Sequence, residues 1–419
     1  METSTAPVTF SQALRNRQFF ALWLAQFVSS FGDWLAILAI FSLMTFRWEG
    51  TPGHVAGIFI AFASPFAFLG PLAGVFVDRW NLKRTMIASD LVRAVLAFGL
   101  MFASEFWHVY VILFLLSAVS AFFLPAQSSI VPLLVRKEEL LVANALNAQS
   151  IHLTKIVGPA LGGVIVASAG ELTCFLLDGA SFVASAALLT RIHATRLPAE
   201  AVRGVGAVLA DLREGVVFLA THAALRFVVL ATVATIFAVG VFDALIAIYV
   251  RDILNSSSRV FGVMIATIGV GTIVGSTAVG KFAQRMSRVQ LVAAGIGGCG
   301  FGVALLAMAS SAPAALAASL FLGLTVAAVF IPSQALTQEE TPAEMLGRVS
   351  ATSIAMVTVS QLVGVAVSGK LAGWFGIRNL YYGVAVAIVL VGVVGYGYAR
   401  ANRVGEKHEP ASAPASPAV

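Results

Sequence analysis

The chain has 419 residues, a formal charge of +6, 59% hydrophobic residues and only 11% charged ones, with a mean hydropathy of +0.93. A soluble domain carries about 25% charged residues, so this composition cannot cover a water-exposed surface. A soluble enzyme, a disordered chain and an ordinary nucleic-acid binder are excluded. Cys174 and Cys299 both lie in apolar runs, which provides no disulfide framework and no metal motif. The first residues are polar up to Phe19, which predicts no cleavable signal peptide.

Residues 1–18 precede the first of twelve apolar runs. The runs lie at roughly 19–47, 54–77, 85–104, 107–134, 147–168, 171–190, 226–250, 259–280, 289–309, 313–335, 351–373 and 379–399. Each can cross a bilayer as a helix of about 20 residues. None alternates as a barrel strand would, and lipid tolerates little else. The expected fold is an all-α membrane protein of twelve transmembrane helices in two pseudo-symmetric six-helix bundles, at 19–190 and 226–400. The linker 191–225 carries an apolar stripe at Leu209, Leu212, Val216, Phe218 and Leu219, and an amphipathic helix on the inner membrane face is expected there. Residues 401–419, rich in Ala, Pro and Ser, are expected to be a disordered tail. With both termini cytoplasmic, nineteen of the 26 Lys and Arg fall on the cytoplasmic side, four outside and three within spans. That is the positive-inside bias, and it accounts for a pI near 9.6 without nucleic acid.

The two halves repeat. Gly74-x-x-x-Asp78-Arg79 recurs as Gly280-x-x-x-Gln284-Arg285, and Pro125-x-Gln127 as Pro332-x-Gln334, 206 and 207 residues on. Gly158 and Gly163 recur as Gly364 and Gly369 at 206, and Phe31-Gly32-Asp33 resembles Val241-Phe242-Asp243 at 210. Duplicated halves suit a rocking transporter whose site lies between them.

The segment from Gly74 through Asp78 and Arg79 to Lys83 and Arg84 resembles the loop signature of the major facilitator superfamily, at the place between spans two and three where that family has it. Phe31-Gly32-Asp33-Trp34, Gly158-Pro159-Ala160-Leu161-Gly162-Gly163, Leu177-Asp178-Gly179-Ala180-Ser181-Phe182 and Gly347-Arg348-Val349 resemble its enterobactin-exporter-like and macrolide-efflux branch. The resemblance implies that Asp78 latches the two halves at the cytoplasmic end, where Gln284 of the second half has lost the charge. It also implies that the Gly158–Gly163 segment, which matches one associated with antiport in proton-driven exporters, packs tightly on span eight. Small residues allow such an approach.

Asp33 lies roughly 21 Å into the first span, where a charged carboxyl costs at least about 2.5 kcal/mol on insertion scales. It is the leading candidate for proton coupling, the alternative being a carboxyl that only hydrogen-bonds helix to helix. Lys155, roughly 12 Å deep in span five, is its candidate ion-pair partner, because the family fold sets helices one and five side by side. Snorkelling to the interface is the other reading of that lysine. Asp243 is a candidate second titrating or substrate-contact carboxyl. Asp178 with Ser181 reads as structural, and Asp90 with Arg93, three residues apart, reads as an ion pair on one helix face. Phe27, Phe31, Trp34, Phe123, Phe242 and Phe330 are candidates for lining an apolar substrate cavity.

The fourth span has no Arg or Lys before Arg136, where many proton-coupled drug exporters of the superfamily carry a basic residue. That departure shifts weight to Asp33 and Lys155. No phosphate-cradling Gly-x-x-x-x-Gly-Lys-[Ser/Thr] loop, catalytic triad or paired-His metal spacing occurs, so neither enzymatic activity nor a cofactor or metal is expected. The expected function is proton-coupled antiport that exports small lipophilic compounds, such as a macrolide or a siderophore-like metabolite. The alternatives are a lysophospholipid or other amphiphile transporter, a nutrient uptake permease and, more remotely, a non-transporting membrane partner. The expected partners are a small-molecule substrate, protons and the lipid bilayer, with the chain a monomer in a bacterial inner membrane.

Overall fold

The computed structural model describes residues 10–77, 79–193, 205–282, 286–342 and 345–401. Their order is α1 (Phe10–Arg15), α2 (Arg17–Ser42), α3 (Pro52–Val77), α4 (Leu82–Gly99), α5 (Phe106–Leu134), α6 (Leu140–Ala169), α7 (Glu171–Leu189), α8 (Val205–Thr221), α9 (Ala223–Ile248), α10 (Ser258–Phe282), α11 (Arg288–Met308), α12 (Ala312–Glu340), α13 (Leu346–Phe375) and α14 (Ile377–Ala401). Among the described residues, twelve helices are long and apolar enough to cross a membrane. They are α2–α7 and α9–α14, six on each side of α8, which occupies the linker. The expectation of a disordered tail at 401–419 lies outside the described residues, except for Ala401, which ends α14.

Local sequence sets the helix ends. Asn16 opens α2 by accepting from the Gln18 and Phe19 amides, which satisfies two of the four free donors at a helix start. Its Nδ2 donates to the Leu134 carbonyl at 2.6 Å and so ties the start of α2 to the end of α5. Asn81 caps α4, and Ser287 with Gln290 forms a capping box on α11. Gly170 (φ 81°) and Gly376 (φ 76°) terminate α6 and α13, in a conformation that glycine adopts at no steric cost.

The backbone repeats with the same period as the motifs. A π-helical turn extends α2 at Leu43–Arg47 and another extends α9 at Tyr249–Ile253, from 43 to 249, an offset of 206. The left-handed residues Glu49 and Asn255 follow them at that offset, and Gly170 and Gly376 keep it too. Within the first half α2 packs on α6 and α7, and α5 on α3 and α4. Within the second half α9 packs on α13 and α14, α10 on α12, and α11 on α12 and α14.

The halves meet through α6 with α10 and through α3 with α13. Both contacts rest on glycine. A Cβ on Gly163 of α6 would lie 2.7 Å from the Gly262 Cα of α10, and one on Gly369 of α13 would lie 3.3 Å from the Gly53 nitrogen of α3. Carbon atoms in contact need about 3.5–4.0 Å, so the first pair has no room for any side chain. Gly163 and Gly369 are repeat partners, and one sequence position therefore builds both pseudo-symmetric contacts. Around them, Phe41 and Phe46 pack on Phe261 with ring centroids 6.3 Å apart, and Ala56, Ala244 and Val365 form a small cluster across the halves. Arg251 Nη1 donates to the Thr45 and Gly50 carbonyls at 2.7 and 3.0 Å. All of these contacts lie towards the end that carries the α2–α3 and α9–α10 connections.

Gly163→Leu is expected to force α6 and α10 apart at that end. Spin labels at the exposed positions Ser168 and Arg259 should report an increase of about 2–3 Å, since interaxial distance follows the side chains at the contact. An unchanged distance would show that this glycine does not set the approach.

Candidate functional site

A cavity of about 220 Å³ lies inside the first half, among α2, α3, α4, α5 and α7. Its polar lining includes Ser29 and Asp33 of α2, Arg93 of α4, Ser117 of α5 and Asp178 of α7. Trp34, Phe62, Phe66 and Phe123 supply aromatic wall. The inward face of α2 is built by Gly32. A Cβ there would meet Asp178 Oδ1 at 2.8 Å, so the glycine lets α7 approach and brings Asp178 beside Asp33.

Arg93 is the one basic side chain lining this cavity, and it is committed elsewhere. It pairs with Asp90 one helical turn away, and Asp90 is fully buried. The second oxygen of Asp90 accepts from Ser185 Oγ of α7 at 2.6 Å. The guanidinium lies 4.3 Å from the Phe123 ring centroid and 4.5 Å from that of Phe182, two cation–π contacts. The Asp90–Arg93 pair expected from the spacing is thus present. Its partners on α5 and α7 come from sequence-distant segments that no local pattern shows.

Asp33 and Lys155 do not form the expected ion pair. The charged groups that act on Asp33 are Arg93 and Asp90, whereas the Lys155 ammonium lies over Trp34, 5.8 Å from its ring. The reason is helical geometry: residues 33 and 34 sit about 100° apart on α2. Asp33 turns inward to α4 and α7, and Trp34 turns to α6. Lys155 acts electrostatically on Asp243 of the other half instead. Asp243 also accepts from Gln361 Nε2 at 3.1 Å. Gln361 is the residue 206 positions after Lys155, so Asp243 faces both members of one repeat-related pair. The same offset maps Asp33 onto Val239 and places Asp243 one turn further along its helix. The repeat therefore contained the signal that the two carboxyls have different surroundings.

The other expected site residues divide. Gly158 packs on Trp34, where a Cβ would lie 2.5 Å from the tryptophan Cβ. Gly162 packs on Leu38 of α2, and Pro159 sits between them inside α6. Of the glycines of this segment, Gly163 makes the contact expected with the eighth span. Trp34 and Phe123 line the first-half cavity. Phe27 and Phe31 continue a row of stacked rings from Phe20 and Trp23, and Phe330 is partly exposed on α12. Phe242 is not a cavity residue: it is buried in the second-half core and packs on Tyr381 at 5.5 Å. Ser181 Oγ donates to the Asp178 carbonyl, not to its carboxyl. Of the loop signature, Gly74 lies on α3 and Asp78 lies outside the described residues. Arg79 is exposed, Lys83 Nζ donates to the Thr190 carbonyl at 2.6 Å within the same half, and the Arg84 amide is capped by Asn81. A shallow, open apolar groove lies between α9 and α13, bordered by Val233, Phe237, Met356 and Val359.

A family model described as transmembrane secretion effector matches residues 8–417. The uncharacterized MFS-type transporter YfiS of Bacillus subtilis is 27% identical over 384 residues, which span 88% of this chain and 90% of that protein. Macrolide efflux protein A of Streptococcus pyogenes is 23% identical over 385 residues, 90% of this chain and 95% of that one. Among solved structures, a bacterial homolog of the human lysosomal transporter Spinster, inward-facing and unoccupied, superposes with a TM-score of 0.74 at 12% identity. It covers 94% of this chain and 99% of its own.

Arg93→Leu is expected to destabilise the protein by about 3–5 kcal/mol, because it leaves Asp90 buried without its partner. The double variant Asp90→Asn/Arg93→Leu should lose less than the sum of the two single changes. Thermal unfolding of the detergent-purified variants checks this, and additive losses would show that the pair does not act as a unit.

Proposed function

The chain belongs to the transmembrane secretion effector family of the major facilitator superfamily, and from that premise we propose that it is a proton-coupled antiporter exporting small lipophilic compounds. The observation that carries this reading is one partly buried carboxyl on the first helix of each half, Asp33 on α2 and Asp243 on α9. A carboxyl within hydrocarbon depth is kept where it binds or transfers something. The aromatic wall around Asp33 favours lipophilic cargo. Efflux activity in relatives that match along most of their length favours export, and macrolides are the first class to test.

The mechanism follows from the contacts between halves. The positive-inside bias favours cytoplasmic termini; in that orientation the glycine contacts and the Arg251 bonds close the outer end, which supports reading the conformation as inward-facing. A proton on Asp243 cancels its attraction to Lys155 and removes one tie between halves. A proton on Asp33 changes the charge beside Arg93 and Asp178. Each proton shifts the inward–outward equilibrium only by as much as it binds one state better than the other. Asp78 serves as the inner latch when the outer end opens. Lys155, held by Trp34 across from Asp243, senses that opening directly. The chain works as a monomer in the bacterial inner membrane.

The test is accumulation of macrolides, dyes and iron chelators in a pump-deficient bacterial host. Cells with the intact protein are compared with Asp33→Asn, Asp243→Asn and empty cells, each with and without a protonophore. Several-fold lower accumulation is expected with the intact protein, lost with the protonophore and in Asp33→Asn. Equal accumulation of every compound with and without the protein would overturn export of these classes. Export that survives both substitutions would overturn coupling through these carboxyls.

A further inference from the structure

The charges around the first-half cavity do not balance. Three carboxyls, Asp33, Asp90 and Asp178, surround one guanidinium, Arg93. Asp90 is satisfied by Arg93 and Ser185, and Arg93 is further held between Phe123 and Phe182. No ionisable residue of α3 or α5 lines the cavity, and on α6 Lys155 lies over Trp34 and acts on Asp243. Asp33 and Asp178 are left as two carboxyls without a counter-charge of their own.

Asp178 is 1% exposed, and its Oδ1 has no hydrogen-bond partner although it lines the cavity. Ser117 Oγ, equally buried, also lacks one. A buried acceptor without a donor is costly, more so for a charged group. Arg93 Nε, a donor, is unsatisfied as well, but the charge of that guanidinium is already engaged by Asp90; what Asp33 and Asp178 lack is a positive counter-charge. No three His, Cys, Asp or Glu among the described residues converge as metal ligands, which argues against a divalent ion. Phe123 and Trp34 already hold the Arg93 and Lys155 cations; the Phe62 and Phe66 rings on the same wall suit an organic cation, whose charge aromatic faces attract.

We propose that this cavity is a subsite for the protonated amine of an amphiphilic substrate, with the ammonium held between Asp33 and Asp178 and its apolar part against the aromatic wall. The proposal rests on the transport reading and narrows it to amine-bearing substrates. Ser117 and Ser29 supply further oxygen acceptors. The amine is protonated in the site, because a neutral amine would bring no counter-charge for Asp33 and Asp178.

The experiment is ligand-dependent thermal stabilisation of the purified full-length protein in detergent, since a ligand that binds the folded state raises its unfolding temperature. The probes are N,N-dimethyl-4-phenylbutylamine and 4-phenylbutanol, alike in their apolar part and different in charge. The intact protein is expected to bind the amine at least tenfold more tightly than the alcohol. Asp178→Asn and Asp33→Asn should each abolish that preference and keep the weaker response to the alcohol. Equal binding of amine and alcohol by the intact protein would overturn the subsite without needing any variant. A preference that survives in both variants, which the alcohol response would show to be folded, would overturn it as well. Neither outcome bears on whether cells export lipophilic compounds, so failure of this subsite and failure of the transport reading are separable.

Discussion

Hydrocarbon offers a polar group no partner, so every carboxyl and guanidinium inside this protein must be satisfied by the protein itself, by a proton or by cargo. The arrangement of the first half follows from that constraint. Asp90, Arg93 and Ser185 close on one another and pin α4 to α7, with two phenyl rings shielding the guanidinium. That unit is mainly structural: both Asp90 oxygens are bonded, and Arg93 Nε alone is left without a hydrogen-bond partner. Asp33 and Asp178, one helix packing away, are held beside it by the close approach at Gly32 and remain available. In the proposed reading, structure and function divide the four charges between them.

A second constraint is that two large apolar bundles must touch closely enough to exclude water at one end and still be able to separate. Glycine at Gly163, Gly262, Gly53 and Gly369 meets it, because contact between bare backbones leaves no side chains interlocked. The polar contribution at this end is small: one Arg251 guanidinium donating to two carbonyls. Contacts of this kind can be exchanged at modest cost, which is what alternation between two packings requires.

The duplication explains the scaffold, and its imperfections mark the chemistry. Helix ends, π-helical turns and glycine contacts all recur at an offset of 206. Most charged residues do not. Asp33 corresponds to Val239, Lys155 to Gln361 and Asp78 to Gln284. A carboxyl turned inward in one half and a carboxyl facing the other half in the second give the two bundles unequal roles. A symmetric scaffold with unequal charge can couple binding in one place to movement in another.

The linear chain determined the number of spans, the repeat and its register, the membrane class, and the residues whose burial is costly enough to need a reason. Those are properties of composition, period and length, and each is local or additive. The Asp90–Arg93 pair was legible because both members share one helix turn. The chain did not determine which face of α2 each residue takes in the packed bundle. Asp33 and Trp34 are neighbours in sequence, yet one meets Asp178 and the other meets Lys155, because a helix turns about 100° per residue. Only the tertiary structure decided that Phe242 is core, that Lys155 belongs to Asp243, and that Asp178 is a second arm beside Asp33. Partners 95 to 145 residues apart are chosen by how helices pack, and packing is settled by the close approach of glycines that carry no chemistry of their own.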